Sequence, residues 1–185
     1  AATLISTRSA DAALIIQRPV YIGLTNGLVG FWNFEGDNAE RDRSGNGNHG
    51  VLTSGPKQAI GKIGQALDFD GVDDYVDFGN GASLQFTNQM TVSLWIKMDV
   101  TPTQYDGVLG DTTSSSWNDG FGMFWNASNQ LQFFINDSVA NVASFIFPTP
   151  ANTNWLHAVG VYDGTKVRIY GNGVEGIADT LTGNI

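Results

Sequence analysis

Short apolar runs bounded by Gly, Asn, Asp or Pro recur along the chain, at residues 28–34, 66–69, 75–78, 90–98, 120–125, 130–135, 142–147, 156–162 and 166–170. In the stretch Thr91-Val92-Ser93-Leu94-Trp95-Ile96-Lys97-Met98 apolar and polar residues alternate, the period of two that gives a strand one buried and one wet face. Asp163-Gly164 separates the last two runs as a tight hairpin requires, and Asn172-Gly173 punctuates the next turn. No run in this part has a convincing helical period. The pattern predicts an all-β fold of about nine or more short strands, arranged as two antiparallel sheets packed face to face so that each strand buries one side. Trp32, Trp95, Trp125 and Trp155 fall within or at the ends of these runs and are expected in the core.

The chain divides into an apolar, Ala-rich extension at residues 1–23 and a sandwich domain at 24–185. Within the extension Leu14, Ile15, Ile16, Val20, Tyr21 and Ile22 could form a strand, but Pro19 cannot donate to a central ladder. An edge or docking strand is expected there, with a short helix over 4–16 as the alternative.

Composition narrows the function. Eighteen acidic residues stand against nine Lys and Arg, for a net charge of −9. That balance argues against nucleic acid, whose phosphates need a basic face, and suits cations and neutral glycans. No cysteine is present, so no disulfide supports the fold. No apolar run approaches the length of a membrane span, and a start at Ala1 rather than Met reads as a mature chain whose leader has been removed.

Several blocks carry a family resemblance: Gly27-Leu28-Val29-Gly30-Phe31-Trp32-Asn33-Phe34, Asp42-Arg43-Ser44-Gly45-Asn46-Gly47-Asn48-His49-Gly50, and Phe69-Asp70-Gly71-Val72-Asp73-Asp74-Tyr75-Val76. The stretches 90–96 and 154–164 agree with them. In this order they resemble the laminin-G-like jelly-roll domains of the concanavalin A-like lectin/glucanase superfamily. The resemblance implies a jelly roll of secreted proteins and leaves the ligand open, because lectins, adhesins and enzyme accessory modules share the fold. Family members continue beyond 166–177 into an acidic strand that packs beside the first strand, and none is found before Ile185. The sandwich is therefore expected to lack its last strand, its open edge covered by residues 10–22 of this chain or a neighbour, unless the sequence simply stops short of the domain's end.

Two loops dense in Asp, Asn and Gly could supply the six to eight oxygens that calcium takes. Asp42, Asn46, Asn48, Asp70 and Asp74 are the candidate ligands, with Asp73 beside them. The same residues could instead form turns whose side chains cap the local backbone; the resemblance favours the ion. Glu35, Asp37 and Glu40 have the E-x-D-x-x-E spacing of retaining glucanases, yet Gly36, Asn38 and Ala39 read as a turn rather than a strand aiming three acids at one cleft. No catalytic residue is assigned. Trp117 sits in a polar loop, where an exposed ring can stack on a sugar; Tyr105, Asn118 and Asp119 complete the candidate carbohydrate set. The bland alternative folds Trp117 back on the rim or against another subunit.

These readings predict a non-catalytic extracellular module at a cell or virion surface. The first expectation is a calcium-stabilised structural subunit of an appendage, fibre or decoration, its extension docking on copies of itself or on another extracellular subunit. The alternative is a lectin-like adhesion domain for glycans, with glycoside hydrolysis as a third possibility.

Overall fold

The computed structural model describes residues 26–99, 106–112, 119–135, 142–146, 154–181 and 185. Its strands run in the order β1 (Val51–Thr53), β2 (Lys57–Ile60), β3 (Gln65–Asp68), β4 (Tyr75–Asp77), β5 (Met90–Ile96), β6 (Asp106–Asp111), β7 (Phe121–Trp125), β8 (Gln130–Ile135), β9 (Val142–Ile146), β10 (Leu156–Tyr162), β11 (Lys166–Gly171), β12 (Val174–Glu175) and β13 (Asp179–Thr180). A single 3₁₀ turn, Ala82–Leu84, is the one helical element among the described residues.

Two larger sheets form the sandwich. One has the order β12-β11-β10-β5, with β13 also paired to β11; the other is β6-β7-β8-β9. Every pairing is antiparallel. β11 lies across β8 and β9, and the space between the sheets holds Met123, Trp125, Leu131, Phe133, Ile135, Leu156, Ala158, Tyr162, Val167 and Ile169. The expected all-β sandwich is what the chain forms.

Alternation explains this core. Along β10 the inward residues Leu156, Ala158, Gly160 and Tyr162 are buried, while His157, Val159 and Val161 between them are part-exposed. Gly160 is required by shape: a Cβ there would lie 2.7 Å from the Phe133 ring of the facing sheet, far inside ordinary packing distance. The hairpin β10–β11 turns at Asp163-Gly164, as expected, with Asp163 Oδ1 accepting from the amides of Thr165 and Lys166. Asn172 and Gly173 both take positive φ, 51° and 82°, as a tight two-residue hairpin needs.

Two expectations fail. Residues 28–34 form no strand. Phe34 takes φ +54°, a conformation that a bulky side chain rarely adopts, and the run feeds directly into a turn. Trp95 is not in the core: Val92, Leu94 and Ile96 pack towards the sandwich, so parity places Trp95 outside, 39% exposed. Trp125 is fully buried, as expected, whereas Trp32 and Trp155 are half-buried.

Beside the sandwich, two-stranded ladders β1–β4 and β2–β3 accompany the segment 26–50. Trp32 stacks on Phe78 with centroids 4.2 Å apart and donates its indole N–H to the Asn48 carbonyl at 2.8 Å.

Candidate functional site: a rim cleft and two acidic loops

At one end of the sandwich the segment after the 3₁₀ turn, the end of β6 and the start of β7 converge on a cleft of about 280 Å³. Its lining includes Gln85, Phe86, Asp111, Asp119, Gly120 and Phe121. Phe86 and Phe121 meet edge to face, centroids 5.6 Å apart, and supply an apolar wall. Asp111 faces Phe121 across the β6–β7 ladder, which sets a carboxylate beside the rings. Gly120, at φ +67°, allows the chain to close here, because a Cβ would overlap the Asp111 carbonyl oxygen. Aromatic surface, two carboxylates and an amide are the groups that fix a polyhydroxylated ring by its flat face and its hydroxyls.

Asp119 from the carbohydrate candidates lies in this cleft; Tyr105, Trp117 and Asn118 lie outside the described residues. The signals missed in sequence were Phe86, Gln85 and Asp111, which come from stretches with no strand pattern of their own. The assembly candidates Leu14, Ile15, Ile16, Val20, Tyr21 and Ile22 also lie outside the described residues.

The five candidate metal ligands divide between two loops. Asp42 is 4% exposed, and its carboxylate accepts from Phe31 N–H (3.0 Å), Ser44 N–H (2.8 Å), Ser44 Oγ (2.8 Å) and Asn48 N–H (3.0 Å). Asn46 and Asn48 donate their amides to the Val29 carbonyl, and Asn48 Oδ1 accepts from Ser83. Burial works against the charged form of Asp42, but the surrounding donors outweigh it and hold its pKa below the usual carboxylate value. The four acceptor positions of the carboxylate are thus taken, and an ion would have to displace these donors.

The second loop differs. One carboxylate oxygen each from Asp70, Asp73 and Asp74 lies within 4.8 Å of the others. Asp70 accepts from the amides of Val72 and Asp73, which lower its pKa. Asp74 accepts from Asp70 N–H through one oxygen only. Open oxygens therefore remain, and three clustered carboxylates are the donor type a hard divalent cation takes, though fewer than the six to eight oxygens of a full calcium shell.

Glu35, Asp37 and Glu40 form no such group; among the described residues the Asp70 loop is the acidic trio brought together. Glu35 Oε1 accepts from Gln65 N–H at 2.9 Å, a structural tie, and residues 36 and 37 form a turn as expected. Among the described residues no helix is long and apolar enough to cross a membrane.

Two packed antiparallel sheets built from these strands define a β-sandwich of the jelly-roll class. The profile of the concanavalin A-like lectin/glucanases superfamily matches residues 70–185, and the chain belongs to that superfamily. No curated protein matches it in sequence. Among solved structures it is similar to domain 4 of AbnA, a GH43 extracellular arabinanase from Geobacillus stearothermophilus, in complex with arabinotriose. The two share 25% identity and a TM-score of 0.60 over 79% of this chain and 72% of that one. It is also similar to the binding domain of Paraclostridial Mosquitocidal Protein 1, at 17% identity and TM-score 0.64, over 86% of this chain but 42% of that one. An S-layer domain-containing protein from Clostridium thermocellum gives 24% identity and TM-score 0.52 over 83% and 73%. The last two likenesses concern the fold alone.

Proposed function

We propose that the chain is an extracellular, non-catalytic glycan-binding module that takes a sugar of a neutral chain into the rim cleft. The observation that carries this reading is the cleft itself, where Phe86 and Phe121 supply an apolar wall next to Asp111, Asp119 and Gln85. The arabinotriose bound by the similar AbnA domain supports it, as does a net charge of −9, which disfavours polyanions. Phe121→Ala and Asp111→Ala should each weaken binding of arabino-oligosaccharides about tenfold or more, read by calorimetry. Unchanged affinity in both would overturn the assignment to the cleft. Hydrolysis that disappears in Glu35→Gln would overturn the non-catalytic part.

Calcium belongs to the same proposal, held by Asp70, Asp73 and Asp74, where it would lock the 70–74 loop. An assembly role is the second reading. Large apolar side chains at Ile60, Val72 and Ile63, exposed at 91%, 84% and 76%, favour a covered surface. Larger species on a sizing column that are lost on deleting residues 1–22 would support it; a monomer unaffected by the deletion would remove it.

A further inference from the structure

The outward face of the five-stranded sheet brings a second set of sugar-recognising groups together, on strands that do not line the rim cleft. Alternation along β5, β10 and β11 turns Ser93, Trp95, His157, Val159 and Tyr170 to this face, opposite the inward-facing Leu94, Ala158 and Ile169. Trp95 pairs with His157 across the ladder, and Val159 pairs with both Ser93 and Tyr170. The indole and imidazole centroids are 5.0 Å apart and tilted by 31°. Ser93 Oγ and His157 Nε2 share a hydrogen bond of 2.9 Å. Lys62, in the turn between β2 and β3, holds its ammonium 5.6 Å from the Trp95 ring centroid.

The charges on this face are mixed: Lys62 lies over Trp95, and Glu175 pairs with Tyr170 across the ladder. Lys62 is exposed and makes no ion pair among the described residues, whereas Arg168 on the same face is already held by Asp163 and Glu175. A cation over an exposed indole is an attachment point for a sugar carboxylate beside a stacking surface. Strand spacing sets the length of the ligand. β5 and β11 flank β10, about 10 Å apart, and Tyr170 stands two residues along from Trp95, so their backbones are roughly 12 Å apart. One sugar ring cannot bridge that gap; a chain of linked sugars can.

We propose that this face binds an acidic glycan, with sugar rings against Trp95 and Tyr170, hydroxyls at Ser93 and His157, and a carboxylate at Lys62 Nζ. The net charge of −9 repels a uniformly charged polyanion, so the ligand is a largely neutral chain bearing isolated uronate groups. The inference does not depend on the rim cleft, and it assigns a different class of sugar to a different surface.

The test compares a glucuronate-substituted xylo-oligosaccharide with the unsubstituted oligosaccharide of equal length by calorimetry on the full chain. The acidic ligand should bind about tenfold tighter, the preference should shrink with ionic strength, and exposed Lys62→Gln should abolish it. Trp95→Ala should weaken both ligands about tenfold, with its melting curve checked against the parent. Phe121→Ala weakens only what the cleft holds, so it should not lower the preference for the acidic ligand. Equal affinity for the two ligands, binding of neither, or a preference that survives Lys62→Gln or vanishes in Phe121→Ala would each overturn the proposal.

Discussion

Replacing Asp42 with Ala tests whether the hydrogen-bonded loop at 42–48 holds the first described segment onto the fold. The carboxylate accepts four hydrogen bonds, and truncation leaves three backbone amides and one hydroxyl without that partner. A buried donor left unpaired costs about 1–3 kcal/mol. Asn48 is buried, but Ser44 is half-buried and Phe31 exposed, so water recovers part of the loss at those two. The expected destabilisation is therefore about 3–4 kcal/mol rather than the full sum, or a fall in Tm of roughly 10 °C for a chain of this size. Asp42→Asn keeps one acceptor oxygen and should cost about half as much. Urea unfolding followed by tryptophan fluorescence and by far-ultraviolet circular dichroism measures both variants. An Asp42→Ala protein within about 0.5 kcal/mol of the parent would show that the loop carries no such role.

Further outcomes follow from the same geometry. Donors hold Asp42, Asp70 and Asp163 below the usual carboxylate pKa, so the unfolded chain takes up protons first; stability is full above about pH 4 and is lost as pH falls below it. A melting series from neutral pH to pH 2 reads this, and a flat profile would contradict it. Calcium should raise the melting temperature and a chelator reverse the rise, since a ligand bound only by the folded state must stabilise it; Asp73→Asn together with Asp74→Asn should remove the response. Gly160→Ala should destabilise by about 1–3 kcal/mol through overpacking against Phe133, and denaturant unfolding reads it directly.

How much the sequence discloses depends on whether one face of a strand is wet. β5, β10 and β11 are plain in the sequence because their alternation matches one buried and one solvated side. β2 is not, because all four of its residues are exposed and leave no period to detect. β6 reads Asp-Gly-Val-Leu-Gly-Asp, which looks like a turn until β7 pairs with it. The run 28–34 misleads in the opposite sense: Trp32 stacks on Phe78 while Leu28 and Phe31 stay exposed, and the run joins no ladder. Trp95 was decipherable, since its parity with Leu94 and Ile96 already puts it on the wet side. The rim cleft was not, because Phe86, Asp111 and Phe121 are brought together only by tertiary pairing. The clustering of the Asp70, Asp73 and Asp74 carboxylates was legible because they are neighbours in the chain, whereas Asp42 takes the alternative the sequence also offered and caps backbone amides.

The missing side chain at Gly160 has a consequence for how the molecule can vary. With Phe133 seated against that backbone, the gap between the sheets is fixed from one side by an aromatic plate and from the other by bare main chain. Exposed positions on the outer face can therefore be exchanged with little effect on sheet separation. Any change at this interlock must instead be matched by a smaller residue at 133. Drift in specificity and drift in architecture are thereby uncoupled, and a library randomised at the surface positions should keep its fold while its ligands change.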